Sequence, residues 1–77
     1  MKVAVLGPGC AKCNDLHKRA AEAIRTCGCE AELVKVEQLD QIMSYGVLMT
    51  PALVIDGEVK SAGRVPSVEQ IAKWLRS

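Results

Sequence analysis

Gly7-Pro8-Gly9 separates two segments of different periodicity. Before it, Lys2 to Leu6 is short, apolar and valine-rich, as a buried strand is. After it, from Cys10 to about Cys27, the pattern turns helical. Cys13, Leu16, Ala20, Ile24 and Cys27 recur at spacings of three and four and give the helix one inward face. Lys12, Asp15, Lys18, Arg19 and Glu22 lie mostly elsewhere, and Gly28 ends the helix as a glycine beyond a C-terminus does. A strand delivered through a tight turn into a helix is the beginning of an α/β chain.

The remaining elements follow from the same kind of pattern. Ala31 to Val36 alternates small or apolar with charged residues, which predicts a second strand. Leu39, Ile42 and Met43 fit a short second helix that stops near Gly46. Ala52 to Ile55 is an apolar strand, Asp56-Gly57 a two-residue hairpin turn, and Glu58 to Ser61 the returning strand. Ser67 has the character of an N-cap, with Gln70 three residues on as in a capping box. Val68, Ile71, Ala72 and Leu75 then make the apolar face of a last helix. The predicted order is βαβαββα. No repeat, linker or boundary interrupts it, so residues 1–77 read as a single domain.

Composition narrows the function classes. The chain has 77 residues, 49% hydrophobic and 25% charged, with a net charge of +1 and only two aromatics, Tyr45 and Trp74. That is globular rather than disordered. Without a basic stripe or a charge run, neither nucleic acid nor a membrane surface is an expected partner. The first apolar run is too short for a signal-peptide core, and no segment approaches a membrane span. The chain therefore reads as cytoplasmic. Four cysteines in so small a chain would suggest a disulfide scaffold if it were secreted. In a reducing compartment a Cys-x-x-Cys beside a strand–helix boundary reads as redox or metal chemistry.

Cys10 and Cys13 flank Ala11 and Lys12 at that boundary. Thiolate, not thiol, is the nucleophile. A cysteine at a helix N-terminus lies near unpaired backbone N–H groups and the positive end of the helix dipole. With Lys12 beside it, Cys10 is expected to have its pKa lowered toward the ~3.5–7.5 of such sites. Cys13, one turn further in on the apolar face, can reach the sulfur of Cys10 but not easily an outside substrate. This asymmetry predicts an attacking and a resolving cysteine. The same spacing also serves as half of a zinc site.

Thr50-Pro51 stands directly before the third strand, where proline resists both helix and central-strand pairing. With Gly46-Val47 before it and Ala52-Leu53-Val54-Ile55-Asp56-Gly57 after it, this stretch resembles the cis-proline loop of the thioredoxin superfamily. The whole order resembles that superfamily too, most closely the small archaeal and bacterial thioredoxin-like redox-active disulfide proteins. The resemblance implies a minimal thioredoxin-like fold with a four-stranded mixed sheet and three helices. It implies a thiol–disulfide oxidoreductase that reduces protein disulfides and is itself restored by an upstream disulfide reductase, as a monomer and without a cofactor. Residue by residue, Cys10 matches the nucleophile and Cys13 the resolving cysteine of a redox-active disulfide. Pro51 matches the cis-proline facing them. Thr50 matches the residue whose backbone pairs with an extended substrate, and Gly63 a glycine that leaves room for it.

The chain also departs from thioredoxins proper. Gly9 stands where a tryptophan is usual, Ala11-Lys12 replaces Gly-Pro, and the strand Val3 to Leu6 carries no acid beneath the resolving cysteine. His17, one turn beyond Cys13, is the nearest substitute for that acid, although a partly exposed surface histidine is the simpler reading. The glutaredoxin Thr-Val-Pro and its later acidic signature are missing, which argues against a glutathione site. The competing function is a soft-metal module or metallochaperone, binding copper or zinc through the same two cysteines. Copper chaperones of the heavy-metal-associated fold run βαββαβ and end in a strand, whereas this chain ends in a helix. Cys27 and Cys29 cannot complete a single site with the first pair. On a continuous helix Cys27 lies about 21 Å from Cys13, at ~1.5 Å per residue, far beyond the ~2.3 Å of a zinc–sulfur bond. Cys27 reads as a small buried apolar residue and Cys29 as an exposed thiol, or the two as a local disulfide.

Overall fold

The computed structural model describes residues 1–9 and 11–76. Its elements are β1 (Lys2–Leu6), α1 (Ala11–Cys27), β2 (Glu32–Val36), α2 (Leu39–Ser44), β3 (Ala52–Ile55), β4 (Glu58–Ala62) and α3 (Val68–Arg76). The predicted βαβαββα order is the order found. The sheet runs β2-β1-β3-β4, with β1 parallel to β2 and antiparallel to β3, and β3 antiparallel to β4. It is a mixed four-stranded sheet with three helices, the thioredoxin-like arrangement.

The two central strands are apolar from Val3 to Leu6 and from Ala52 to Ile55 because both their faces are covered there. Val3 and Val5 of β1 and Leu53 and Ile55 of β3 share one core with Leu16, Ala20 and Ala23 of α1 and Ile71, Ala72 and Leu75 of α3. The alternate residues Ala4, Leu6, Ala52 and Val54 form a second core with Val36, Ile42 and Val47. Period-two alternation along β1 and β3 thus divides one continuous apolar run between two layers.

The short helix α2 is found as expected and buries one residue. Of its three apolar residues, only Ile42 is buried; Leu39 is 71% and Met43 61% exposed. Six residues make under two turns, so one position meets the sheet squarely and its apolar neighbours point outward. Arg19, assigned to the outer face of α1 by spacing, is half-buried. Its guanidinium donates to the carbonyls of Val65 and Pro66 at 3.3 and 3.2 Å. It therefore ties α1 to the segment entering α3.

The turns follow their residues. Asp56 and Gly57 have φ of 50° and 82°, the doubly positive geometry that two-residue hairpins favour. Asp56 accepts from the Lys2 N–H at 2.8 Å through Oδ1. Ser67 caps α3, its Oγ accepting from the Gln70 N–H at 3.1 Å.

Candidate functional site

Cys10 lies outside the described residues, so the site is built from its neighbours. Cys13 occupies the first turn of α1 and is 3% exposed. Lys12, beside it in the chain, is exposed. Thr50 is exposed, Pro51 is buried, and the peptide bond between them is cis. The Gly63 N–H donates to the Pro51 carbonyl at 2.8 Å, which draws the end of β4 against the cis-proline loop. Gly63 has a φ of 80°, a conformation that glycine adopts without steric cost.

Gly7 joins these parts, and the sequence reading passed over it. It is buried, and its N–H donates to the Val36 carbonyl at 2.9 Å, extending the β1–β2 pairing to the mouth of the turn. A Cβ built on Gly7 would lie 2.1 Å from Cys13 Sγ and 3.8 Å from Thr50 Cβ. Glycine here is what lets the Cys13 sulfur seat against the backbone, and the same position reaches the Thr-Pro loop. Cys13, Thr50, Pro51 and Gly63 therefore converge at one end of the sheet, where β1 ends and β3 begins.

Gly7→Ala tests this seating. The new methyl has to displace the sulfur and its Cβ, since neither is the end of a long flexible chain. Overpacking of this kind costs about 1–3 kcal/mol. A sulfur moved by about 1 Å is expected to lower disulfide-exchange turnover by up to ~10²-fold. Thermal unfolding and turnover measured together check this; wild-type values for both would show that Cys13 is not packed on Gly7.

Two further side chains at this end of the sheet escaped the sequence reading. Glu37 follows β2, and its Oε2 lies 3.1 Å from where a Gly9 Cβ would be. A carboxylate thus borders the turn leading into α1, although no acid lies in β1. Met49 lies over Gly63, its Cε 2.8 Å and its Sδ 3.3 Å from a Cβ built there. The space expected above Gly63 is thus lined by a flexible methionine. His17 is half-buried on α1, four residues beyond Cys13.

Cys27 and Cys29 resolve the alternatives left open by spacing: they are joined as a disulfide, with Cα atoms 5.4 Å apart. Both are half-buried, and both pack against the core that α1 shares with α3. The unbroken helix from Ala11 to Cys27 keeps this pair at the opposite end of α1 from Cys13.

A thioredoxin domain family model matches residues 1–76. The chain belongs to the thioredoxin family. A protein named thioredoxin from Methanothermobacter thermautotrophicus is 45% identical over 75 residues, covering 97% of each chain. Another of that name from Methanocaldococcus jannaschii is 35% identical over 75 residues, covering 97% of this chain and 86% of its own. Near-complete alignment to two such relatives, with the fold and the Thr-Pro loop in place, makes the chain a thiol–disulfide oxidoreductase. Members of this family exchange electrons with disulfide substrates and with a reductase. No helix among the described residues is long and apolar enough to cross a membrane.

Proposed function

We propose that Cys10 and Cys13 carry the thiol–disulfide exchange, Cys10 attacking and Cys13 resolving. The observation that carries this reading is the burial of Cys13 against Gly7 in the first turn of α1, beside the Thr50-Pro51 loop. A sulfur so enclosed is protected from an outside disulfide, as a resolving thiol is. Thr50, exposed beside the buried Pro51, is the backbone on which an extended substrate would pair in the manner of an added strand. Gly63, lacking a Cβ, leaves the space into which the Met49 side chain folds. Leu48 and Met49, 96% and 61% exposed, offer apolar contact to the residues flanking a substrate disulfide. Lys12 adds positive charge at the helix start and favours the thiolate of Cys10.

The substrates in this reading are protein disulfides in the cytoplasm, and an upstream disulfide reductase restores the dithiol. The chain acts as a single domain and a monomer, without a cofactor. In the exchange, the Cys10 thiolate attacks a substrate sulfur, the substrate S–S bond breaks, and a mixed disulfide forms. Cys13 then attacks the sulfur of Cys10 and releases the substrate as a dithiol.

Competitive alkylation of the native reduced protein tests the assignment. Peptide mapping at short times is expected to find the label on Cys10 well before Cys13. Labelling of Cys13 first would reverse the two roles.

A further inference from the structure

We propose that Cys27–Cys29 is a second redox couple, and that its exchange partner is the Cys10–Cys13 pair of a second copy of the chain; this rests on the reading of Cys10 and Cys13 given above. Three observations carry it. The bond joins cysteines separated by a single residue, Gly28, so it closes the shortest of loops. The stabilisation a disulfide gives by restricting the unfolded chain grows with loop length, and a loop of this size contributes little. A structural staple is therefore a poor account of it. Both cysteines are half-buried, at the rim of the core rather than within it. Finally, the fold is ready for the reduced state. Cys27 Sγ lies 3.7 Å from the Ile24 carbonyl oxygen. As a thiol it can donate there, to one of the carbonyls that the end of α1 leaves without a helical partner.

Exchange within one molecule is excluded by the helix. Fourteen residues of continuous α-helix hold Cys27 about 21 Å along the axis from Cys13. The partner is therefore another molecule, and a second copy supplies a dithiol of the required chemistry with no further reactant. The Cys10 thiolate of a reduced copy attacks Cys29 Sγ of an oxidised copy, and the Cys27–Cys29 bond breaks. Cys27 takes up a proton and turns to the Ile24 carbonyl. Cys13 of the first copy then attacks its own Cys10 and frees Cys29 as a thiol. Two electrons and two protons have passed from one dithiol to the other copy's disulfide, and no further reactant is needed. The reverse transfer follows the same steps. Each chain then stores four electrons, two for each pair.

The test uses two full-length variants. Cys10→Ser/Cys13→Ser keeps only the second pair and Cys27→Ser/Cys29→Ser only the first, one of them labelled with heavy nitrogen. The oxidised Cys10→Ser/Cys13→Ser chain is mixed anaerobically with the reduced Cys27→Ser/Cys29→Ser chain, quenched with an alkylating agent, and weighed. Alkylated thiols are expected to appear on one chain as they vanish from the other. The same end point is expected from the opposite starting mixture. Absence of exchange, while the reduced Cys27→Ser/Cys29→Ser chain still reduces the disulfides of insulin, would overturn the inference alone. Failure with insulin as well would bring down the Cys10–Cys13 assignment and the inference with it. Should either variant fold poorly, the wild-type chain decides. On titration with a dithiol, the oxidised protein is expected to release four alkylatable thiols, including Cys27 and Cys29, and release of only two would refute the second couple.

Discussion

Cys13→Ser is expected to stop turnover with the substrate still attached, and Cys10→Ser to stop it before attachment. Both should lower protein-disulfide reduction by about 10⁴-fold or more, the scale of loss when a covalent nucleophile is removed. The difference between them is the informative part. With Cys13 replaced, Cys10 still attacks, but no neighbouring thiol reaches its sulfur, so mixed disulfides accumulate and survive a quench. With Cys10 replaced, the remaining thiol is 3% exposed and set against Gly7, where a protein disulfide cannot approach it. Non-reducing gels of each variant, incubated with an oxidised protein substrate, separate the cases. Covalent adducts are expected for Cys13→Ser only. Equal trapping by both would mean that Cys13 is as accessible as Cys10, and the division of labour would have to be abandoned. The second pair needs control here, because Cys27 and Cys29 could also form adducts once reduced. The comparison is therefore cleanest with both replaced by serine in each variant.

Much of this was legible from residue order. Gly7-Pro8-Gly9 separates a strand from a helix because apolar spacing changes on either side of it, and the structure starts α1 at Ala11. Asp56-Gly57 announced the hairpin because both residues tolerate positive φ. Pro51 pointed to a cis-proline loop because proline has few other reasons to precede a central strand, and the Thr50–Pro51 bond is cis. What escaped the sequence depends on contacts that no period encodes. Gly7 and Cys13 are six residues apart across a turn, and only the fold shows that a sulfur takes the place of a side chain there. Glu37 reaches the same turn because β1 and β2 pair in parallel with Leu6 opposite Val36, a register that composition does not reveal. Spacing put Leu39, Ile42 and Met43 on one short helix without saying which of them meets the sheet; Ile42 does. Spacing left Cys27 and Cys29 open between separate thiols and a disulfide, since it fixes their separation but not whether the chain turns back at Gly28. Gly28 does turn, with a φ of 68°.

The largest loss of stability is expected from Leu16→Ala. Leu16 is fully buried and lies three residues after Cys13 on the inward face of α1. It belongs to the core in which Val3, Val5 and Leu53 of the sheet meet Ile71 and Leu75 of α3. Truncation removes its apolar contacts and leaves a cavity between close-packed layers. For buried leucines this costs about 2–5 kcal/mol. A chain of 77 residues has a total stability of only roughly 4–12 kcal/mol, at about 0.05–0.15 kcal/mol per residue. The substitution thus removes a large share of what holds the protein folded. The thermal midpoint should fall by about 8–40 °C, at ~4–8 °C per kcal/mol for a domain of this size. Leu39→Ala makes the matched control, since that leucine is 71% exposed on α2 and its loss should stay within ~0.5 kcal/mol. Denaturant unfolding of the two variants beside wild type, with the slopes compared as well as the midpoints, reads both effects. Equal stabilities for Leu16→Ala and Leu39→Ala would contradict the layered core. They would also remove the reason for α1 to hold Cys13 in place, because the face that carries Leu16 is the face that seats the cysteine against Gly7.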